Sequence, residues 1–177
     1  MPFTLAHIVI ASPISKITQN KLPIAALAIG CMTPDLFRLF SNSNGLESHA
    51  WTAIFYPNLI LGFLFCALWH SLFRPTLYSC LALQDELNIS NIFSFFNFFC
   101  FSCLALLLGN ATHILWDGLT HLDSRTLLSL AFLEQKFILF NQEYSAHFIL
   151  QILSSILPLP FIVLMISRYY KSIISLI

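Results

Sequence analysis

The sequence predicts an all-α protein: a polytopic helical membrane bundle with about four spanning helices plus short N-terminal and interfacial helices. Of its 177 residues, 58% are hydrophobic and only 9% are charged, whereas an average soluble domain has roughly 25% charged residues. Four apolar segments are each close to or above the roughly 20 residues that cross a hydrocarbon core. Since no internal repeat or long linker divides them, we expect a single membrane domain over residues 1–177.

Helix boundaries follow from the apolar segments and the prolines between them. The predicted spans are Leu22–Phe40, Thr52–Phe73, Ile92–His121 and Tyr144–Ser167. Pro34 should end or kink the first span just before Asp35, and Pro158 with Pro160 should bend the last. The intervening segment Leu127–Phe140 is short and contains charged residues. We expect it to lie at the membrane interface or against the bundle.

Charge and cysteine content exclude two classes of function. Eight basic and eight acidic residues give a formal net charge of zero, so no basic surface is available to neutralise nucleic-acid phosphates. The five cysteines are an odd number without the spacing of a disulfide framework. Cys100 and Cys103 form a C-x-x-C pair, but we interpret them as small apolar residues of a helix.

A polar stripe interrupts the third apolar segment. Its members are Asn110, His113, Asp117, Thr120 and His121. At about 100° per residue, they fall within an arc of roughly 100° on one helix face. Ionisable groups at membrane depth are costly and usually functional. Two imidazoles and a carboxylate on one face are plausible metal ligands.

Helix lengths predict that further ligand-type residues reach the level of this stripe. If the chain reverses near Thr18 to Lys21, His7 and Asp35 lie at the same height of an antiparallel hairpin. The next loop contains His49, and the third span arrives at that level from the opposite side. Six residues should therefore converge at one membrane face: His7, Asp35, His49, His113, Asp117 and His121.

Simpler interpretations exist for the same residues. The stripe could be a hydrogen-bonded seam between helices, in which each membrane hydrogen bond contributes about 0.6 kcal/mol. Asp35 could serve as a helix cap. His70, at the other end of a long span and close to Arg74, is typical of an interfacial anchor. The sequence has no G-x-S-x-G elbow or phosphate-binding loop.

Several short motifs resemble a known family. They are Met1-Pro-Phe-Thr-Leu-Ala-His7, Ile29-Gly-Cys-Met-Thr-Pro-Asp35, Ser48-His49, His70-x3-Arg74-Pro75, Gly109-x2-Thr112-His113-x2-Trp116-Asp117-x2-Thr120-His121 and Gln151-x2-Ser154-Ser155. Together they resemble the bacterial membrane family catalogued as domain of unknown function 4184, over nearly the whole chain. The resemblance implies a multi-pass protein of the bacterial inner membrane.

This family in turn resembles, more distantly, metal-dependent hydrolases of the bacterial inner membrane and the zinc-dependent phospholipase C and nuclease superfamily. The likeness implies that His113 and Asp117 are metal ligands, with His7 and Asp35 as further ligands. The sequence lacks the second His-x3-Asp motif of the secreted enzymes. We therefore expect a mononuclear or dinuclear site rather than a trinuclear one.

The leading functional hypothesis is a metal-dependent hydrolase of a phosphoester or ester in a lipid or another membrane-proximal molecule. His7, Asp35, His113 and Asp117 would hold one or two divalent ions, with zinc expected, and His49 or His121 would transfer a proton. The expected partners are membrane lipids. The alternative is a noncatalytic metal-binding or structural membrane protein. A transporter is a third hypothesis, although the inverted repeats typical of transporters are missing from the sequence.

Basic residues predict the orientation. Lys16, Lys21, Arg74, Arg168 and Lys171 fall on one side of the predicted bundle, and Arg38, Arg125 and Lys136 fall on the other. The positive-inside rule then places the C-terminus in the cytoplasm. The six converging residues would lie at the outer face of the inner membrane.

Overall fold

The computed structural model describes residues 4–41, 47–81, 87, 89–122 and 130–174. This part of the chain is mostly helical, as predicted, and also contains one β-hairpin. Arg125 and the beginning of the predicted segment Leu127–Phe140 lie outside the described residues.

Eight α-helices occur in the described part of the chain. They are α1 (Ala11–Ile17), α2 (Ile24–Leu36), α3 (Asn58–Leu68), α4 (Arg74–Cys80), α5 (Ile92–Thr120), α6 (Leu130–Leu133), α7 (Ala146–Ile156) and α8 (Pro158–Ile174). Shorter elements are the 3-10 helices Thr4–Ile10, Phe37–Leu39 and Trp51–Ile54, the π-helix Trp69–Phe73, and the strands β1 (Lys136–Leu139) and β2 (Gln142–Ser145).

The chain reverses between α1 and α2, at the position that the sequence predicts. Gln19 and Asn20 have φ values of 55° and 60°. The backbone N–H of Asn20 donates to the Ser15 carbonyl at 2.7 Å. The Ser15 hydroxyl donates to the Leu22 carbonyl at 3.0 Å. The N-terminal 3-10 helix therefore packs along α2.

Helix α2 packs tightly against α5 because two glycines face the partner backbone. A Cβ atom at Gly30 would lie 2.6 Å from the Leu106 carbonyl oxygen, and one at Gly109 would lie 2.5 Å from the Leu27 carbonyl oxygen. Small residues allow this close approach of helix backbones in membranes. Leu27 and Leu106 are completely buried and lie in the core that joins the two helices.

Three stretches of helix are long and apolar enough to cross a membrane. They are Trp51–Cys80, Ile92–Thr120 and Ala146–Arg168. Large apolar side chains remain exposed on them, for example Phe93 at 79% and Val163 at 62%. Such surfaces suit contact with lipid.

The fourth predicted span, Leu22–Phe40, is not confirmed. Its helix α2 has 13 residues, a length of about 20 Å against the roughly 30 Å of a hydrocarbon core. More than half of its residues are buried, which is typical of a helix in the protein core. Pro34 does not end α2, which continues to Leu36 and then tightens into the 3-10 helix Phe37–Leu39.

The segment that was expected at the interface folds differently from an interfacial helix. After the short α6, β1 and β2 pair antiparallel, with Lys136 opposite Ser145 and Leu139 opposite Gln142. The Lys136 ammonium lies 2.9 Å from a Glu143 carboxylate oxygen. The two turn residues Phe140 and Asn141 have φ values of 53° and 60°, and positive φ at both positions suits a two-residue hairpin turn.

The two glycine contacts give a test of the core. We expect Gly109→Ala to destabilise the detergent-purified protein by about 1–3 kcal/mol, since the new methyl group meets rigid backbone. Gly62→Ala is the matched control, because its Cβ would meet the flexible Leu106 side chain at 2.8 Å. Thermal unfolding followed by circular dichroism measures both. An equal loss in the two variants would contradict the proposed role of backbone contact.

Candidate metal centre

The polar stripe of α5 faces the protein interior. His113 and Asp117 are each 1% exposed, and Asn110 is completely buried. Asn110 donates to the Leu106 carbonyl of its own helix at 3.0 Å. The side chains of His113 and Asp117 instead point to residues from other elements.

A backbone carbonyl of α2 fixes the ring of His113. Nδ1 of His113 lies 2.6 Å from the Cys31 carbonyl oxygen. Because a carbonyl oxygen only accepts, Nδ1 carries the hydrogen, and the neutral ring then presents a lone pair at Nε2. A hydrogen bond of this type on the distal nitrogen commonly orients a metal-binding histidine.

His113, His49 and Asp117 converge on one point. The two Nε2 atoms of His113 and His49 are 3.2 Å apart. The Asp117 Oδ2 atom lies 3.1 Å from His49 Nε2 and 3.6 Å from His113 Nε2. Tetrahedral zinc with bonds of 2.0–2.1 Å requires ligand atoms about 3.3 Å apart. These three atoms therefore have the spacing of ligands to a single ion.

His49 reaches this point from the chain before α3. Its Nδ1 lies 3.1 Å from the Ser48 hydroxyl. The side-chain amide of Asn58 donates to the Ser48 backbone carbonyl at 2.7 Å. Ser48, His49 and Asn58 are all buried. Asn58, at the start of α3, thus holds the His49 backbone in place.

Asp35, near the end of α2, is a second carboxylate at the same point. Its Oδ1 lies 3.4 Å from His49 Nε2 and 3.9 Å from His113 Nε2. The Thr4 hydroxyl donates to the other oxygen, Oδ2, at 2.7 Å. Thr4 therefore orients the carboxylate so that Oδ1 faces the imidazoles.

His7 and His121 complete the group on either side. The His7 ring stacks on His113 with centroids 3.9 Å apart, and its Nε2 lies 4.0 Å from Asp117 Oδ1. Burial and the neighbouring His113 lower the pKa of His7 to about 3, which outweighs the opposite effect of Asp117. His7 is therefore neutral and can act as a ligand.

His121 contacts the same carboxylate from the end of α5. Its Nδ1 lies 3.6 Å from Asp117 Oδ1 and 3.1 Å from the Asp117 carbonyl oxygen. The Gln151 amide of α7 donates to the Thr120 carbonyl at 3.1 Å. This hydrogen bond connects α7 to the last residue of α5, which directly precedes His121.

The structure brings together all six residues that the sequence analysis selected. We call His7, Asp35, His49, His113, Asp117 and His121 the His/Asp cluster. Two sets in it could hold a metal ion: His49, His113 and Asp117, and His7, Asp35 and His113. His49, which was assigned to proton transfer, is thus at ligand distance. His70 lies apart from these sets, in the π-helix, with its ring edge-on to Phe98 at 5.2 Å.

Three supporting groups were not selected from the sequence. Thr4 lies one helical turn before His7 and was a detectable candidate, because it belongs to the N-terminal motif. Asn58 follows a proline in an apolar segment, which gives only a weak signal. The carbonyl of Cys31 has no sequence signature, since every residue has one.

One protein-family model matches almost the whole chain. The family described as "Domain of unknown function (DUF4184)" matches residues 1–176. The chain belongs to this family. Neither a curated protein nor a solved structure matches the chain.

The cluster makes a direct prediction about metal content. We expect purified protein to contain about one transition-metal ion per chain, and Asp117→Asn to lose most of it, since the amide keeps the shape but removes the charge. His113→Ala should have the same effect. His147→Ala, which changes a histidine outside the cluster, is the control. Elemental analysis after detergent purification measures all four proteins. Metal-free wild-type protein, or equal metal in Asp117→Asn, would contradict the assignment.

Proposed function

We propose that this protein is a metal-dependent hydrolase of a phosphoester or ester in a lipid or another membrane-proximal molecule. One observation carries the proposal. In a buried site, His49 Nε2 lies 3.2 Å from His113 Nε2 and 3.1 Å from Asp117 Oδ2, and the last two atoms are 3.6 Å apart. Two histidines and one carboxylate form the ligand set of several hydrolytic zinc enzymes, which keep a further position open for water or substrate.

Zinc is the proposed ion because neutral imidazole and carboxylate suit it. Bound zinc would polarise an ester oxygen and activate water for attack. We favour a single ion, since Cys31 engages Nδ1 of His113 and leaves only Nε2 as a ligand atom. His113 belongs to both candidate ligand sets, and its one remaining lone pair can bind only one ion at a time.

The remaining residues of the cluster take supporting roles. Asp35, oriented by Thr4, offers Oδ1 as a further ligand or as an acceptor for the proton of a water molecule. His7 covers His113 by stacking and belongs to the second ligand set. His121 contacts Oδ1 of Asp117, the oxygen that is not among the three proposed ligand atoms. His121 is therefore our candidate for proton transfer.

A noncatalytic metal-binding or structural role is the second candidate. His49, His113 and Asp117 are each only 1% exposed, and structural zinc sites are typically closed to solvent. In this case the ion would stabilise the contact between α2, α5 and the chain before α3. Activity, rather than metal content, distinguishes the two proposals.

The hydrolase proposal predicts metal-dependent turnover. Purified protein should hydrolyse bis(p-nitrophenyl) phosphate or a phospholipid in mixed micelles, lose activity with a chelator and recover it with Zn²⁺. His121→Ala should retain the metal but lower kcat by about 100-fold or more, the range for loss of general acid–base catalysis. His147→Ala is again the control. Stoichiometric metal without turnover of either class of substrate would favour the noncatalytic role.

We also propose the bacterial inner membrane as the location, with the His/Asp cluster at its outer face. The three helices of spanning length support a membrane location, and the distribution of basic residues supports this orientation. Glu47 is exposed and lies two residues before His49. It therefore reports the side on which the cluster lies.

Cysteine labelling tests the orientation. In a variant with the five native cysteines replaced, Glu47→Cys should react with a membrane-impermeant maleimide on intact spheroplasts. Lys171→Cys, near the opposite end of the last span, should react only after the membrane is broken. The reverse pattern would show that the cluster faces the cytoplasm.

A further inference from the structure

An apolar cavity of about 250 Å³ lies beside the His/Asp cluster. The N-terminal 3-10 helix, α5 and the junction of α7 with α8 line it. Its wall includes His7, Thr112, Leu115, Trp116, Leu119 and Pro158. The cavity exceeds the roughly 150 Å³ engineered cavity that accommodates benzene. It can therefore hold several methylene groups.

Helix α5 supplies the cavity wall by its periodicity. Thr112, Leu115, Trp116 and Leu119 are spaced i, i+3, i+4 and i+7, so they form one face. The face of His113 and Asp117 lies next to it. One helix thus presents ligands to the cluster and an apolar surface to the cavity.

The two hydroxyl groups of the wall, those of Thr112 and Ser154, do not make the cavity polar. The Thr112 hydroxyl donates to the Gly109 carbonyl at 2.8 Å, and the Ser154 hydroxyl donates to the Gln151 carbonyl at 3.1 Å. Both hydroxyl hydrogens are engaged within their own helices. The lining therefore favours a hydrocarbon over a polar ligand.

The cavity is lined both by a residue of the His/Asp cluster and by exposed side chains of α5. His7 belongs to its wall, and the same ring stacks on His113 at 3.9 Å. At the outer side, Leu115 and Trp116 are 46% and 44% exposed. They belong to a helix that is long and apolar enough to span the membrane. A hydrocarbon chain that enters between these side chains would contact the ring of His7, which separates the cavity from His113.

We propose that this cavity binds the hydrocarbon chain of a membrane lipid and thereby places the lipid's phosphoester or ester at the His/Asp cluster. The placement of the reacting group rests on the proposed hydrolase function. Binding of the chain does not, because it depends only on the cavity. The proposal narrows the substrate class to lipids that enter laterally from the membrane.

A photoreactive lipid tests chain binding without any activity. Phosphatidylcholine with a diazirine in one acyl chain is incorporated into nanodiscs with the protein, irradiated, and the adducts are mapped by mass spectrometry. We expect adducts on the stretch that contains Thr112 and Leu119. Leu119→Trp, which fills the cavity, should reduce them at least fivefold. Leu108→Trp, which adds the same side chain at an exposed position of α5 outside the cavity wall, should not.

Two additional measurements separate the possible failures. Unchanged metal content and a cooperative thermal transition verify that Leu119→Trp has folded, and Leu119→Phe is the smaller substitute if it has not. Equal adduct yields in the variants and wild type would overturn the cavity proposal. Adducts that depend on Leu119, without hydrolysis of any ester, would preserve chain binding and refute the hydrolase function.

If the protein is active, kinetics provide a further test. The ratio of kcat/KM for a long-chain to a short-chain phospholipid should fall at least tenfold in Leu119→Trp. A ratio equal to that of wild type would show that the chain does not occupy this cavity during turnover.

Discussion

The close packing of α2 on α5 is the constraint on which the site depends. Gly30 and Gly109 remove the side chains that would separate the two backbones. Cys31 directly follows Gly30, and His113 follows Gly109 by about one helical turn, so the same approach allows the Cys31 carbonyl to accept from His113. The orientation of His113 then directs Nε2 to His49. A contact that resembles ordinary helix packing therefore determines the direction of a candidate ligand atom.

Two carboxylates, the buried Asp117 and the partly buried Asp35, give the site its chemical character. Asp35 and Asp117 are surrounded mainly by imidazole nitrogens, and buried carboxylates require paired charges, hydrogen bonds or metal ions. His7, with its low pKa, contributes a neutral ring rather than a positive charge. A divalent cation would satisfy both carboxylates and use the imidazole lone pairs. Without a cation, the negative charges of the two carboxylates would have to be balanced by protonated imidazoles other than that of His7.

The predictable part of the structure is the part that follows from local periodicity. The stripe containing His113 and Asp117 is visible because helical residues recur every 3.6 positions, and the reversal at Gln19 and Asn20 sets His7 at the height of Asp35. The assignment of Leu22–Phe40 as a span is not confirmed, because apolar composition alone does not distinguish a core helix from a spanning helix. The contact of the Cys31 carbonyl was not predictable, since it depends on packing between distant segments. The position of His49 among the ligands depends in the same way on α3 and Asn58.

Helix α5 also supplies the route by which, in our proposal, a membrane molecule would reach this closed site. A ligand arriving from water would have to pass residues that are almost completely buried, such as His49 and Asp117. In our proposal, a hydrocarbon chain arriving from the bilayer would first meet Leu115 and Trp116, whose side chains are exposed at the protein surface. Its transfer into the cavity exchanges one apolar environment for another and therefore costs little desolvation. The polar headgroup of such a lipid would remain the part that must be desolvated, and the charged and polar side chains of the His/Asp cluster would be available to compensate that cost.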